Sequence, residues 1–260
     1  MKRWLIGLVA AWLITAGSGC ASPLDEEMPI TVDERNAAAQ SQVPKEEGKT
    51  EKYARSFELR YEAVDGIKQL DIKASPENRM LLASYDGNYG VIELYRNDDD
   101  EENVYAALRT GTSWYEIGVI GFSSLQNAND FTVEETEALS HKWMKITGLC
   151  GANCPAAYYV DVSVNPPLLL SLDAHTVESD TDQDGIKEII ATVGTAAQTT
   201  IYKTNGEKLT AVNLNDALHA QVVLYHTETR LFQAELEEGK LSSLKLMQDR
   251  LQLVQEELSD

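Results

Sequence analysis

Short stretches in which apolar and polar residues alternate recur every ten or so residues over most of the chain. They read SFELRYE, IKQLDIK, MLLASY, YGVIELYR, NVYAALR, SWYEIGVIGF, KWMKIT, AYYVDVSV, PLLLSL, IKEIIATV, QTTIYK, KLTAVN, AQVVLYH and RLFQAEL. A period of two with Val, Ile, Tyr, Thr and Leu marks strands that bury one face. Turn-forming pieces such as YDGN, TNGE and LEEGK separate them, which predicts an all-β antiparallel meander, either a small propeller-like domain or a sandwich. One or two short helices are the most this pattern allows. Thr132 and Glu135 form a capping box ahead of VEETEALSHKW, predicting a helix there. The C-terminal piece KLSSLKLMQDRLQLVQEEL supports two readings. Leu244, Met247, Leu251, Val254 and Leu258 keep helical spacing, while Leu244/Leu246 and Leu251/Leu253 alternate as a hairpin turning at Gln248-Asp249. Following a meander, the hairpin is the preferred reading.

The alternation begins near Tyr53, and residues 53–260 suffice for a single β-rich domain; roughly 205 residues bury about 70% of their unfolded surface. Residues 21–52, opening ASPLDEEMPITVDERNAAAQ, carry no sustained apolar period. Such a segment buries too little to offset its chain entropy and reads as a flexible acidic tether.

Residues 1–20, MKRWLIGLVAAWLITAGSGC, place Lys2 and Arg3 ahead of an apolar run and small residues, the order of a secretory signal. The apolar run is shorter than the roughly 20 residues a membrane-spanning helix needs. Gly17-Ser18-Gly19-Cys20 resembles the lipobox of bacterial lipoproteins, with Gly17 where leucine is usual. That resemblance implies lipidation of Cys20 and a membrane anchor at the bacterial cell envelope; ordinary signal cleavage nearby, after Ser18, is the alternative. Two or more acyl chains on one cysteine suffice for stable anchoring.

Apart from Cys20, the cysteines are Cys150 and Cys154 in LCGANCP. In an oxidising compartment such a pair suggests a structural disulfide, with free thiols or redox chemistry as alternatives. Net charge is −20. Removal of Lys2 and Arg3 leaves 20 basic against 42 acidic residues, or −22. That balance disfavours nucleic acid and anionic lipid headgroups as partners.

The densest chemistry is SDTDQDGIKE, Ser179 to Glu188. Alternate residues of a tight loop can turn inward, so Asp180, Asp182 and Asp184 can converge, and Gly185 permits a sharp turn at positive φ. The Ile186 carbonyl and Glu188 can complete an all-oxygen shell, which suits Ca²⁺ rather than zinc or copper. Position twelve counted from Asp180 is Ala191, so the loop is not an EF-hand. The stretch VESDTDQDGIKEIIATVG resembles the FG-GAP, or VCBS-type, repeat of integrin-α-like propellers. There a D-x-D-x-D-G-x-x-D/E loop between two strands binds Ca²⁺. The resemblance implies ligation by Asp180, Asp182, Asp184, the Ile186 carbonyl and Glu188. It covers one copy, and blades of about 40 to 50 residues allow only four or five in this domain.

Other patterns are weaker. Asn97 to Glu102 reads as a solvated hairpin tip, and Asp65-Gly66-Ile67-Lys68 echoes Asp184-Gly185-Ile186-Lys187 without its aspartates. His141, His175, His219 and His226 are scattered, and Trp114, Tyr115, Trp143, Tyr158 and Tyr159 read as core rather than as a sugar-binding face. The function this implies is a lipid-anchored, calcium-stabilised extracytoplasmic β-domain with a non-enzymatic binding, adhesion or sensing role toward an envelope protein or glycan. The alternative is an envelope hydrolase acting on cell-wall glycan or peptide beside a supporting Ca²⁺.

Overall fold

The computed structural model describes residues 55–122, 131–149, 155–206 and 208–254. The leader, the whole of the tether, and Cys20, Cys150 and Cys154 lie outside the described residues; Leu149 and Pro155, which flank the latter pair, are register partners. The protein is all-β, with one short helix among the described residues. No described helix is long and apolar enough to cross a membrane.

Three short N-terminal strands come first: β1 (Ser56–Glu58), β2 (Glu62–Ala63) and β3 (Ile67–Gln69). Four consecutive antiparallel meanders follow. The first is β4 (Arg79–Gly87), β5 (Gly90–Asn97), β6 (Asp100–Thr110) and β7 (Ser113–Phe122). The second is β8 (Thr132–Ala138), β9 (His141–Leu149), β10 (Pro155–Asp161) and β11 (Leu168–Leu172). The third is β12 (His175–Ser179), β13 (Glu188–Val193), β14 (Gln198–Asn205) and β15 (Lys208–Asn213). After α1 (Leu214–Leu218), the fourth is β16 (Val223–His226), β17 (Leu231–Glu237), β18 (Lys240–Met247) and β19 (Arg250–Leu253).

Period-two alternation sends neighbouring side chains to opposite faces, and both faces of the inner meanders are apolar. On β10, Val160 joins Ile92, Leu94, Ile120 and Ile146 in the seam between meanders one and two, whereas Tyr159 joins Trp143, Leu170 and Ile189 between two and three. On β13, Ile189 faces that second seam and Ile190 faces the third, with Ile201, Val223, Phe232 and Leu244. Each seam is therefore a two-sheet core of the kind that packs about 10 Å thick. Lys145 and Glu178 form a 2.9 Å ion pair across the second seam, from β9 to β12, and Tyr159 donates to the same carboxylate. Meanders one and two also join by a parallel contact, Gly121 with Leu149. Glycine is required there: a Cβ on Gly148 would lie 1.9 Å from the Ile120 carbonyl oxygen.

The N-terminal strands form a belt. β1 pairs with β19, β2 with β15, β3 with β11, and Ile72 bridges Tyr115 of β7, so the chain adds to the last strand of every meander in reverse order. Between these pairings its apolar residues enter the seams. Leu59 belongs to the third cluster, Val64 and Ile67 pack against the second, and Leu70 lies in the first. The sheets are consequently stitched to one another rather than closed into a barrel.

The helix expected from Thr132 is absent. Residues 132–138 are β8, paired along their whole length with β9 through a turn at Leu139-Ser140, both at positive φ. A Glu-rich segment with good helix propensity is held extended because Phe131, Ala138 and Leu139 are buried in the seams. The C-terminal hairpin turns at Gln248-Asp249 as expected, with Gln248 at φ 56°. Asn97 opposite Asp100 closes a hairpin tip. The Asp65-Gly66-Ile67-Lys68 echo leads into the belt strand β3, not a hairpin loop, so it marks no structural repeat. Trp114, Tyr115, Trp143 and Tyr159 are all buried.

Candidate metal centre

The acidic loop joins β12 to β13, and Ser179 opposite Glu188 is the last register pair before it. Asp180 leaves the end of one strand and Glu188 begins the next, so pairing itself brings these carboxylates to one end of the hairpin. Gln183 at φ 65° and Gly185 at φ 91° turn the chain between them; glycine meets the second requirement without strain.

Asp180, Asp182 and Glu188 each place a carboxylate oxygen within 4.8 Å of the other two, the one such group of three His, Cys, Asp or Glu residues among the described residues. Oxygens that share one Ca²⁺ at about 2.3–2.6 Å are at most about 5.2 Å apart, so this spacing fits a common ion. Glu188 is 2% exposed, and one of its oxygens accepts from the Thr181 amide at 2.8 Å and the Thr181 hydroxyl at 2.5 Å. Asp180 Oδ2 accepts from the Gly185 amide at 3.3 Å, while its Oδ1 is buried with no partner. Asp182 Oδ1 accepts from the Asp184 amide at 3.2 Å.

Asp184 stands apart from this trio. It is exposed, and its carboxylate accepts from the Ile186 amide at 2.7 Å, an Asx-type turn that shapes the loop. The Ile186 side chain is exposed as well. Of the residues expected to ligate, the structure thus gathers Asp180, Asp182 and Glu188 and leaves Asp184 facing the loop backbone.

The electrostatics are those of a cluster whose carboxylates outweigh their counter-charge, because Lys203 only partly offsets Asp182. Burial pushes the Glu188 carboxyl up to about 7, against its Thr181 hydrogen bonds. Burial, with repulsion from Asp184, also raises Asp182. Two full charges 4.8 Å apart repel by about 3 kcal/mol at an effective dielectric of about 20. A divalent cation reverses that sign, and the donors are hard oxygens throughout, with one oxygen of Asp180 left over to fill.

Sequence reasoning missed two residues here. Thr181 falls between the alternating aspartates yet supports Glu188. Tyr61 arrives from the belt; its hydroxyl is buried without a partner, and burial together with Asp249, Glu188 and Asp182 raises its pKa. Lys203 lies 4.1 Å from the centre of the Tyr61 ring and pairs with Asp249. Nothing local in the sequence brings Tyr61 to this loop. Of the histidines, His141 binds buried Asp161 at 2.7 Å and His219 caps α1 in the left-handed conformation.

No protein family, curated protein or solved structure matches this chain.

Proposed function

We propose that this protein is a calcium-stabilised β-domain held outside the cell membrane by a lipid on Cys20, with a binding, adhesion or sensing role rather than a catalytic one. The observation that carries the reading is the convergence of Asp180, Asp182 and Glu188 with Glu188 buried at the strand end. The ion would pin β12 to β13, its shell completed by the Ile186 carbonyl, Asp184 directly or through water, and solvent. Extracellular calcium at millimolar levels keeps even a site with a dissociation constant of about 10⁻⁴–10⁻³ M substantially occupied. The signal-like leader, the lipobox-like Cys20, the tether and the Cys150/Cys154 pair all suit that compartment. An acidic surface there points to an envelope protein or glycan as partner, not nucleic acid.

The test is thermal unfolding of the tethered domain with chelator and on re-addition of Ca²⁺ or Mg²⁺. A melting temperature lowered by chelation and restored by Ca²⁺ alone supports the reading; an unchanged one removes it. Detergent-phase partitioning lost in Cys20→Ala tests the anchor separately.

A further inference from the structure

Two clefts meet beside the acidic loop. One, of about 390 Å³, lies between the β4–β5 turn and the β8–β9 hairpin; the other, of about 260 Å³, lies between that hairpin and the loop. They share Glu137, Lys142 and Lys187, so they form one groove over the hairpin. We propose that this groove binds a short carboxyl-bearing saccharide and that the ion in the acidic loop sets one of its walls. The second half of that statement rests on the calcium reading; the first half does not.

The groove is braced at one end. The Asn88 amide and side chain donate to Glu135 at 3.1, 2.9 and 2.9 Å, tying the β4–β5 turn to β8. The next residue, Tyr89, is 56% exposed at the turn tip, an open aromatic face against which a sugar ring can stack. Met144 and Val162 supply an apolar floor. Lys142 and Lys187 both line the part that the two clefts share, two cations in a chain of net charge −20. Lys142 contacts Glu137 at 3.4 Å with both groups exposed, a weak pair that a ligand carboxylate can replace. Lys187 has no ion pair among the described residues.

The mixture of signs selects the ligand. Ammonium groups take a carboxylate, while Glu135 and Glu137 accept from hydroxyl donors. An acidic sugar carries both and has a ring face to lay on the exposed Tyr89; an acidic peptide can meet the same charges through its carboxylates and backbone N–H groups but offers no such ring. Coupling to the ion follows from chain position. Lys187 immediately precedes Glu188, and its carbonyl accepts from the Leu139 amide at 2.8 Å, so the loop end is bonded to the hairpin turn. Fixing Glu188 fixes the backbone from which Lys187 projects. By linkage the saccharide must then tighten calcium binding as much as calcium tightens the saccharide.

Titration calorimetry of the intact domain tests this with an unsulfated glucuronate/N-acetylglucosamine tetrasaccharide, its uncharged N-acetylglucosamine counterpart, and tetraglutamate, each in CaCl₂ and in EDTA. The expected result is binding of the acidic tetrasaccharide about tenfold or more tighter than either control, weakened about tenfold by Lys142→Gln, Lys187→Gln or Tyr89→Ala. All three positions are solvent-facing, and unchanged melting curves check that the variants fold. EDTA weakens binding in the wild type, and Glu188→Gln abolishes that calcium dependence. Equal binding of tetraglutamate, indifference to both lysine variants, or no heat from the acidic sugar overturns the groove. Calcium binding without saccharide binding removes the groove and leaves the metal site; saccharide binding unaffected by calcium removes the coupling and leaves the groove.

Discussion

Leu59→Ala probes the belt. Leu59 lies between β1 and β2, is 4% exposed, and shares the third seam with Ile201 and Val212 on one side and Phe232, Leu244 and Leu251 on the other. The substitution removes three carbons from that core, a transfer loss of about 2.4 kcal/mol at about 0.8 per carbon. The two meanders on either side are each hydrogen-bonded sheets that cannot collapse freely, so a residual cavity raises the cost to about 3–4 kcal/mol. For a domain of this size that lowers the melting temperature by about 10 °C. Urea unfolding followed by circular dichroism, with scanning calorimetry, measures both quantities. Glu58→Ala, exposed one residue earlier, is the control and should stay within about 0.5 kcal/mol. Leu70→Ala in the first seam should cost as much as Leu59→Ala, and the two should add, since distant sites do. If Leu59→Ala costs less than about 1 kcal/mol, the belt is an accessory to the sheets and not part of their cooperative core.

Other expectations concern charge and backbone. In chelator, the buried Glu188 carboxyl titrates near 7 in the folded protein and near 4.5 unfolded. The stability it contributes is full below about pH 4.5 and lost as pH rises through 7, so the urea midpoint of wild type relative to Glu188→Gln should fall over that window. Glu93 behaves oppositely: burial raises its pKa, but hydrogen bonds from Arg109 and Arg79 outweigh burial and leave it below its ordinary 4.5. Its contribution is present above pH 4.5 and lost below, so Glu93→Gln should flatten the acid side of the stability curve. Gly148→Ala forces a Cβ onto the Ile120 carbonyl and should cost about 3 kcal/mol or more, read by the same urea series.

Most of the strands were legible because alternation is a local signal. The quoted stretches from MLLASY to RLFQAEL each hold a strand, although AQVVLYH, AYYVDVSV and IKEIIATV overrun theirs by two or three residues, and the Gln248-Asp249 turn follows from two alternating pairs around it. Residues 132–143 misled because a capping box and a Glu-rich run are also local signals, and burial of Leu139 and Trp143 in a seam overrides them. The strand HTVES in β12 carries too few apolar residues to announce itself. The helix α1 is only five residues, although Asn213 caps it by accepting from the Asp216 amide at 3.0 Å. SFELRYE and IKQLDIK announced strands in the belt, but its pairing was not legible, since its partners lie in β19, β15, β11 and β7, far along the chain. At the site, the alternate spacing located Asp180, Asp182 and Glu188. It did not foretell that Asp184 would cap Ile186, or that Thr181 and Tyr61 would complete the surroundings.

The acidic loop is tested most directly by diffraction from a crystal grown in CaCl₂, with data collected where calcium scatters anomalously. One anomalous peak is expected about 2.3–2.6 Å from oxygens of Asp180, Asp182 and Glu188. An ordered loop with no peak, its carboxylates turned apart into solvent, would contradict it.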